Sequence, residues 1–223
     1  MRMRMPPTSS DLKYLITAGP TREPIDPVRY LSNRSSGKMG FAIAAAAAAA
    51  GHEVLLITGP VWLETPAGVE RIDIETADQL YRAVESRIAG ADIAIMAAAV
   101  ADYRPASAAE QKIKKDVHAE ELTLELVKTR DVLGSAREPM GFTGMLVGFA
   151  AETEYLEANA AAKLSRKGCD LIIANDVSVP GIGFDSDDNE VLVLRRGLSA
   201  IPIARASKSQ IAARIIELCD AYR

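Results

Sequence analysis

Residues 32–40, Ser-Asn-Arg-Ser-Ser-Gly-Lys-Met-Gly, form a polar, glycine-punctuated turn directly before an alanine-rich stretch. Serines and glycines at a helix start expose backbone N–H groups, and those groups together with the positive end of the helix dipole favour an anion, most often a phosphate. Asn33 adds a carboxamide, and Ser35, Ser36, Gly37 and Lys38 are the group expected to face a phosphate-bearing ligand. The plainer alternative is a serine-capped helix whose glycines let it pack close to a sheet. The stretch is not a P-loop, which would need Gly at position 32 and Ser or Thr at position 39, where Ser32 and Met39 stand. Nor is it the dinucleotide fingerprint, which sits within a few residues of the first strand; here the loop runs from Gly19 to Ser36.

Two lysine groups carry the next signals. In Lys112-Ile113-Lys114-Lys115 an extended backbone projects Lys112 and Lys114 from one face. Two cations held together suit either an arriving anion or a solvated edge strand guarded against pairing. Lys163 and Lys167 stand at i and i+4 of an expected helix and share a face, which serves a ligand or simply solvent. The two histidines, His52 and His118, have no plausible nucleophile beside them, so a Ser–His–Asp or Cys–His hydrolase is disfavoured. Cys169 and Cys219 have neither metal-ligand spacing nor the density of a secreted scaffold, and read as core thiols. There is no His/Cys metal cluster, although Asp and Glu can still position a magnesium–phosphate complex.

These residues need a scaffold, and the chain offers alternating strands and helices. Residues 12–18 are an apolar run closed by Gly19-Pro20, and 37–50 combine alanine helix propensity with Gly51 at the C′ position. Strands are expected over 52–58 and 69–75, and Thr76 with Gln79 forms a capping box for a helix over 77–89. Residues 91–99 are a near-continuous apolar run of the kind buried on both faces of a parallel sheet. The pattern breaks over 102–144, where strand-like alternation at Leu122, Leu124 and Leu126 reads as an insertion rather than a crossover helix. Regularity returns with strands over 145–151 and 169–174 around a helix over 154–167. A hairpin turn is expected over 185–189 before a strand over 190–195. Ser207 with Gln210 opens a last helix whose stripe is Ile211, Ile215, Leu218 and Tyr222.

The expected fold is α/β, a Rossmann-like doubly wound, mostly parallel sheet. Residues 1–11 are expected to be a flexible leader and 12–223 a single domain with its elaboration at 102–144. Ligands bind such sheets beyond the carboxyl ends of the strands, here Thr17 to Gly19, Asp102, Glu152 and Asn175-Asp176. A net charge of −4 argues against non-specific nucleic-acid binding. The N-terminus lacks an apolar signal segment, and residues 41–50 are too short and alanine-rich to span a bilayer, so a cytoplasmic enzyme is expected.

Six ordered blocks together resemble phosphopantothenoylcysteine synthetase, the ligase of the coenzyme A pathway. They are Thr17-Ala-Gly-Pro-Thr-Arg-Glu-Pro-Ile-Asp-Pro-Val-Arg29, residues 32–40, Ala97-Ala-Ala-Val-Ala-Asp102, Lys112-Ile-Lys-Lys115, Gly148-Phe-Ala-Ala-Glu-Thr153 and Ala174-Asn-Asp176. The resemblance implies a two-step reaction. The carboxylate of 4′-phosphopantothenate attacks the α-phosphate of CTP and expels pyrophosphate, and the amine of L-cysteine then displaces CMP from the acyl-cytidylate. By the same match, Asn33 hydrogen-bonds the acyl group and Lys112 compensates triphosphate charge. The nucleotide positions are Met96, Ala97, Ala98, Asp102, Lys112, Arg130, Asp131, Val132, Leu133, Phe149, Lys163 and Lys167. Magnesium is expected to bridge the nucleotide phosphates with few or no dedicated protein ligands. The resemblance also implies a homodimer, with 102–144 as the candidate contact. In many bacteria the synthetase is fused to a flavin-dependent decarboxylase; this chain is expected to be either a free-standing synthetase, with a separate phosphopantothenoylcysteine decarboxylase as a partner, or an excised synthetase domain. Two other readings compete. An NAD(P)-dependent reductase would need a glycine fingerprint near Gly19 and commonly a Tyr-x-x-x-Lys pair, neither of which occurs; a non-catalytic nucleotide-binding protein would not need Asn33.

Overall fold

The computed structural model describes residues 12–114, 121–176, 178, 183 and 186–222. The expected leader, Lys115 and part of the 185–189 turn lie outside them. In chain order the elements are β1 (Lys13–Ala18), β2 (Arg22–Asp26), β3 (Arg29–Ser32), α1 (Lys38–Ala49), β4 (Glu53–Thr58), β5 (Val69–Asp73), α2 (Ala77–Arg87), β6 (Ile93–Met96), β7 (Tyr103–Pro105), β8 (Leu126–Lys128), α3 (Val132–Ser135), β9 (Met145–Glu152), α4 (Leu156–Arg166), β10 (Leu171–Asp176), β11 (Asp188–Arg195), β12 (Leu198–Ser207) and α5 (Lys208–Ala221).

The main sheet has the order β12-β11-β10-β9-β6-β1-β4-β5, parallel from β10 through β5 and antiparallel where β11 and β12 extend it. β1 is apolar on both faces because both are covered. Tyr14, Ile16 and Ala18 pack with Ile43 of α1 and Ile215 of α5, while Leu15 packs with Leu80 of α2 and Ala160 of α4. Burial of a side chain such as Ile16, Ile43 or Leu80 contributes about 1.5–3 kcal/mol each. The alanines of α1 let it lie close to the sheet: a Cβ on Gly40 would stand 2.5 Å from that of Ala18. The sheet order reverses between β1 and β6, so the two strand ends part at a topological switch point.

Several elements differ from the sequence reading. The loop between β1 and α1 contains the β2–β3 hairpin, closed by Asp26, whose Oδ1 accepts from the N–H groups of Val28 and Arg29 at 2.9 Å each. The apolar run over 91–99 is regular strand only from Ile93 to Met96, and 97–99 stay beside the end of β1 through separate hydrogen bonds and the isolated Pro20–Ala99 bridge. Within 102–144, β7 and β8 form a small hairpin followed by α3; of Leu122, Leu124 and Leu126 only Leu126 is in a strand. Asp188 and Asn189 belong to β11 rather than to a turn, and the hairpin turns instead at Arg196-Gly197 into β12. β12 carries Pro202 and so reads poorly as a strand, but it is an edge strand, where proline is tolerated. Both capping boxes are present. Ile211, Ile215 and Leu218 are buried as expected, whereas Tyr222 is partly exposed beneath the Arg195 guanidinium. Cys169 and Cys219 are free and buried, and burial pushes the Cys169 thiol up to about 11 and that of Cys219 up to about 12. No helix among the described residues is long and apolar enough to cross a membrane.

Candidate active site

The carboxyl ends of β1, β6, β9 and β10 border a cleft of about 790 Å³. Its floor is the segment 97–99, which continues β6 and is held against the end of β1 by a chain of hydrogen bonds. Ala97 N donates to Thr17 O at 3.2 Å, Ala98 N to Thr17 Oγ1 at 3.2 Å, and Ala99 N to Gly19 O at 2.9 Å. The carbonyl of Ala99 then accepts from Thr21 N at 3.2 Å and from Asn33 Nδ2 at 2.8 Å. Asn33 is exposed, yet this bond fixes its carboxamide above the floor, with a second amide hydrogen still to donate.

Beside Asn33 stands the start of α1. Its N-cap is Gly37 in the left-handed region (φ 76°), without a side-chain capping bond, which differs from the serine-capped alternative. Ser35 Oγ instead accepts from Gly37 N at 3.3 Å. Lys38 reaches Asp187 at 2.7 Å, and this bond holds the Asp187 carboxyl below the usual carboxylate range.

The opposite end of the cleft is built on α2, α3 and α4. Arg130 lies over the Tyr81 ring at 4.5 Å and within 3.9 Å of Asp78, tying the 128–133 loop to α2. Asp131 caps α3 by accepting from Gly134 N at 2.8 Å and also accepts from Lys167 Nζ. Burial raises the Asp131 carboxyl, but the Lys167 bond, the Gly134 N–H and the charges of Lys167 and Lys163 bring it below its ordinary value. Burial lowers the Lys163 ammonium, against the pull of Glu152. Phe149, Val132 and Leu133 supply apolar surface between these charges.

The cleft therefore gathers Asn33, Ser35, Ser36, Gly37, Lys38, Met96, Ala97, Ala98, Asp102, Arg130, Asp131, Val132, Leu133, Phe149, Lys163 and Lys167. Lys112 is not brought into it. That side chain is exposed, and its neighbour Ile113 is tethered to the β2–β3 turn, with its N–H on Asp26 Oδ2 and its carbonyl accepting from Arg29, both at 3.0 Å. Of the strand-end residues, Asn175 lines the cleft, whereas Glu152 accepts from Asn159 and Asp176 from Ser178. Lys128, Thr129, Arg166, Asn189 and Lys208 also line it and were missed. Arg166 was signalled by its place between two lysines already singled out; nothing local marked Asn189 or Lys208.

The family model of the DNA/pantothenate metabolism flavoprotein C-terminal domain matches residues 9–222. The chain belongs to that family. Among curated relatives it is 48% identical over 207 residues to the Coenzyme A biosynthesis bifunctional protein CoaBC of Vibrio cholerae serotype O1, covering 92% of this chain and 51% of that one. It is 50% identical over 201 residues to the CoaBC of Escherichia coli strain K12, covering 88% and 50%. The chain thus spans about half the length of these relatives. Among solved structures, the C-terminal domain of a CoaBC superposes with a TM-score of 0.80 at 37% identity, covering 95% of each chain. The family member from Streptococcus pneumoniae superposes with a TM-score of 0.81 at 27% identity, covering 95% of this chain and all of that one. A Cab2 mutant in complex with phosphopantothenate-cysteine shares the fold, with a TM-score of 0.75 at 18% identity and coverage of 95% and 87%.

Proposed function

We propose that the chain is a phosphopantothenate–cysteine ligase that uses CTP to join 4′-phosphopantothenate and L-cysteine through an acyl-cytidylate, releasing pyrophosphate and CMP. The observation that carries this reading is a single cleft that holds one positioned amide donor, Asn33, together with Lys38 at one end and Arg130, Lys163 and Lys167 at the other. A carboxylate is a poor acyl donor, and joining it to the α-phosphate supplies a leaving group. The protein's work is then to align two polyanions and stabilise the charge that develops between them. Membership of the family, and relatives named for coenzyme A biosynthesis, support the assignment.

In this mechanism Arg130, Lys163 and Lys167 hold the nucleotide, with Phe149, Val132 and Leu133 beside it. The start of α1 takes phosphate oxygens on its N–H groups. Asn33 keeps one amide hydrogen on Ala99 and gives the other to the acyl oxygen, where negative charge grows as the cysteine amine attacks. Lys112 neutralises triphosphate charge, a role that requires it to reach the cleft from its position beside the β2–β3 turn. Magnesium is a hard ion that favours carboxylate, phosphate and water oxygens. Asp131 is already engaged by Lys167, so Asp102 is the lining carboxylate suited to it; the ion supplies neutralisation of phosphate charge when bound.

The proposal extends to a homodimer. Val28 and Tyr30 on the β2–β3 hairpin and Tyr103 and Leu126 on the β7–β8 hairpin are exposed, which supports the 102–144 elaboration as part of the contact. It extends also to a separate decarboxylase acting on the product and to a cytoplasmic setting. The test measures pyrophosphate release with 4′-phosphopantothenate, L-cysteine and magnesium, with CTP and ATP in parallel and the product weighed. Amide product with CTP is expected. Turnover with ATP alone would overturn the nucleotide, and no pyrophosphate from folded protein would leave the non-catalytic nucleotide-binding reading.

A further inference from the structure

Two buried polar side chains at the α1 and α5 end of the cleft have no part in the reaction as described so far. Asn189, in β11, is 4% exposed. Its Oδ1 accepts from Glu190 N at 3.0 Å, but among the described residues its Nδ2 meets only the Met39 thioether, at 4.0 Å. A thioether is a weak acceptor, so a buried amide donor is left close to unsatisfied, a costly state that a ligand oxygen would relieve. Lys208, the first residue of α5, is 7% exposed, and lysine is rarely buried to this degree. Its Nζ donates to Ser186 O at 2.5 Å and to Gly183 O at 3.3 Å. Both side chains line the same cleft as Ser35, Ser36, Gly37 and Lys38.

Strand register explains the meeting. Asn189 pairs with Ala206 and Asp188 with Ser207 across the β11–β12 hairpin, so Asn189 and Lys208 sit at one corner of the sheet. Asp187 links that corner to α1: its carbonyl accepts from Lys208 N at 2.9 Å and its carboxylate from Lys38 Nζ at 2.7 Å. The corner thus presents an amide donor, two ammonium groups and the start of a helix, a set of donors suited to an anion.

We infer that Asn189 and Lys208, with Lys38 and the start of α1, form the seat of a terminal phosphate group. This inference rests on the proposed reaction for its ligands, which offers two sources: the β- and γ-phosphates of the nucleotide, released as pyrophosphate, or the phosphomonoester of the acyl substrate. Asn189 donates through Nδ2, Lys208 contributes the charge of its carbonyl-anchored ammonium group, and neither takes part in bond making.

The test titrates inorganic pyrophosphate and, separately, 4′-phosphopantothenate into the parent protein and into Asn189→Leu and Lys208→Met by calorimetry, with circular dichroism to verify folding. Both variants are expected to lose on the order of tenfold or more in affinity for one probe, and to keep the other within about twofold. Selective loss of pyrophosphate assigns the seat to the nucleotide; selective loss of 4′-phosphopantothenate assigns it to the phosphomonoester. Parent-like affinity for both probes in a folded variant overturns the inference. So does equal loss of both, which reports a deformed cleft, and so does a parent that binds neither. If Lys208→Met does not fold, Asn189→Leu decides. Amide formation by the parent is scored separately, so a parent that binds a probe at this corner but makes no amide overturns the proposed reaction and not the phosphate seat.

Discussion

The two edges of the sheet both carry charged hollows and use their charge in opposite ways. At the amino edge, a hollow of about 560 Å³ is lined by Asp92, Asp170, Arg195 and Arg196. Beside it the Arg137 guanidinium donates to Phe142 O at 2.7 Å, Gly144 O at 2.8 Å and Gly168 O at 3.1 Å, and pairs with Asp170 at 2.6 Å. Asp170 also accepts from Leu146 N, Asp92 from Lys13 N, and Arg196 donates to Cys169 O. Charge there closes backbone groups that the strand starts leave open. At the carboxyl edge, Asn33 and Arg130 are anchored from behind and line open space. A density of charge therefore does not mark a site; what the charged groups are bonded to does.

Substitutions at the two edges should separate activity from stability. The largest effect is expected from Asn33→Ala at the carboxyl edge: amide formation falls about 10²–10³-fold, as for loss of one oxyanion donor, with an unchanged melting temperature. Parent-like turnover of that variant would break the contrast. Arg137→Met at the amino edge should do the reverse, lowering stability by about 3 kcal/mol, or roughly 6–12 °C in melting temperature, while the folded fraction keeps its turnover. Steady-state kinetics on both variants alongside thermal melts reads the contrast directly.

A smaller effect sharpens the picture between the two edges. The Arg29 guanidinium holds the Asp26 carboxyl well below the usual carboxylate range, against desolvation and with help from the N–H groups of Val28, Ile113 and Arg29. A carboxyl depressed in the folded state stabilises above its unfolded value of about 3.9, and that contribution is lost as pH falls through the folded value. Asp131 acts in the same sense. Acid unfolding of the parent should therefore begin below about pH 4. Asp26→Asn should flatten that dependence, because the carboxylate that Arg29 and the N–H groups hold ionised is removed. An unchanged acid slope would remove Asp26 from the account.

The carboxyl edge was largely legible in the sequence because its residues lie in contiguous local signals. Residues 32–40 are a turn before a helix, 96–98 end an apolar run, and Lys163 and Lys167 share a helical face. What was hidden depends on distant pairing. Asp26 orders a hairpin and captures Ile113, 87 positions away. Pro202 disguises β12, which only its place at the sheet edge permits. Asn189 and Lys208 meet through strand register, which no local pattern discloses. Lys112 was read from the face it shares with Lys114 and from the family resemblance, but its position is set by the bonds of its neighbour.

The most direct measurement mixes the protein with 4′-phosphopantothenate, CTP and magnesium without L-cysteine, and follows the mixture by mass spectrometry. The expected result is pyrophosphate release with accumulation of phosphopantothenoyl cytidylate, which turns into amide and CMP once L-cysteine is added. Amide formation that never passes through a nucleotide-bound acyl species, or that releases no pyrophosphate, would contradict activation and coupling in one cleft.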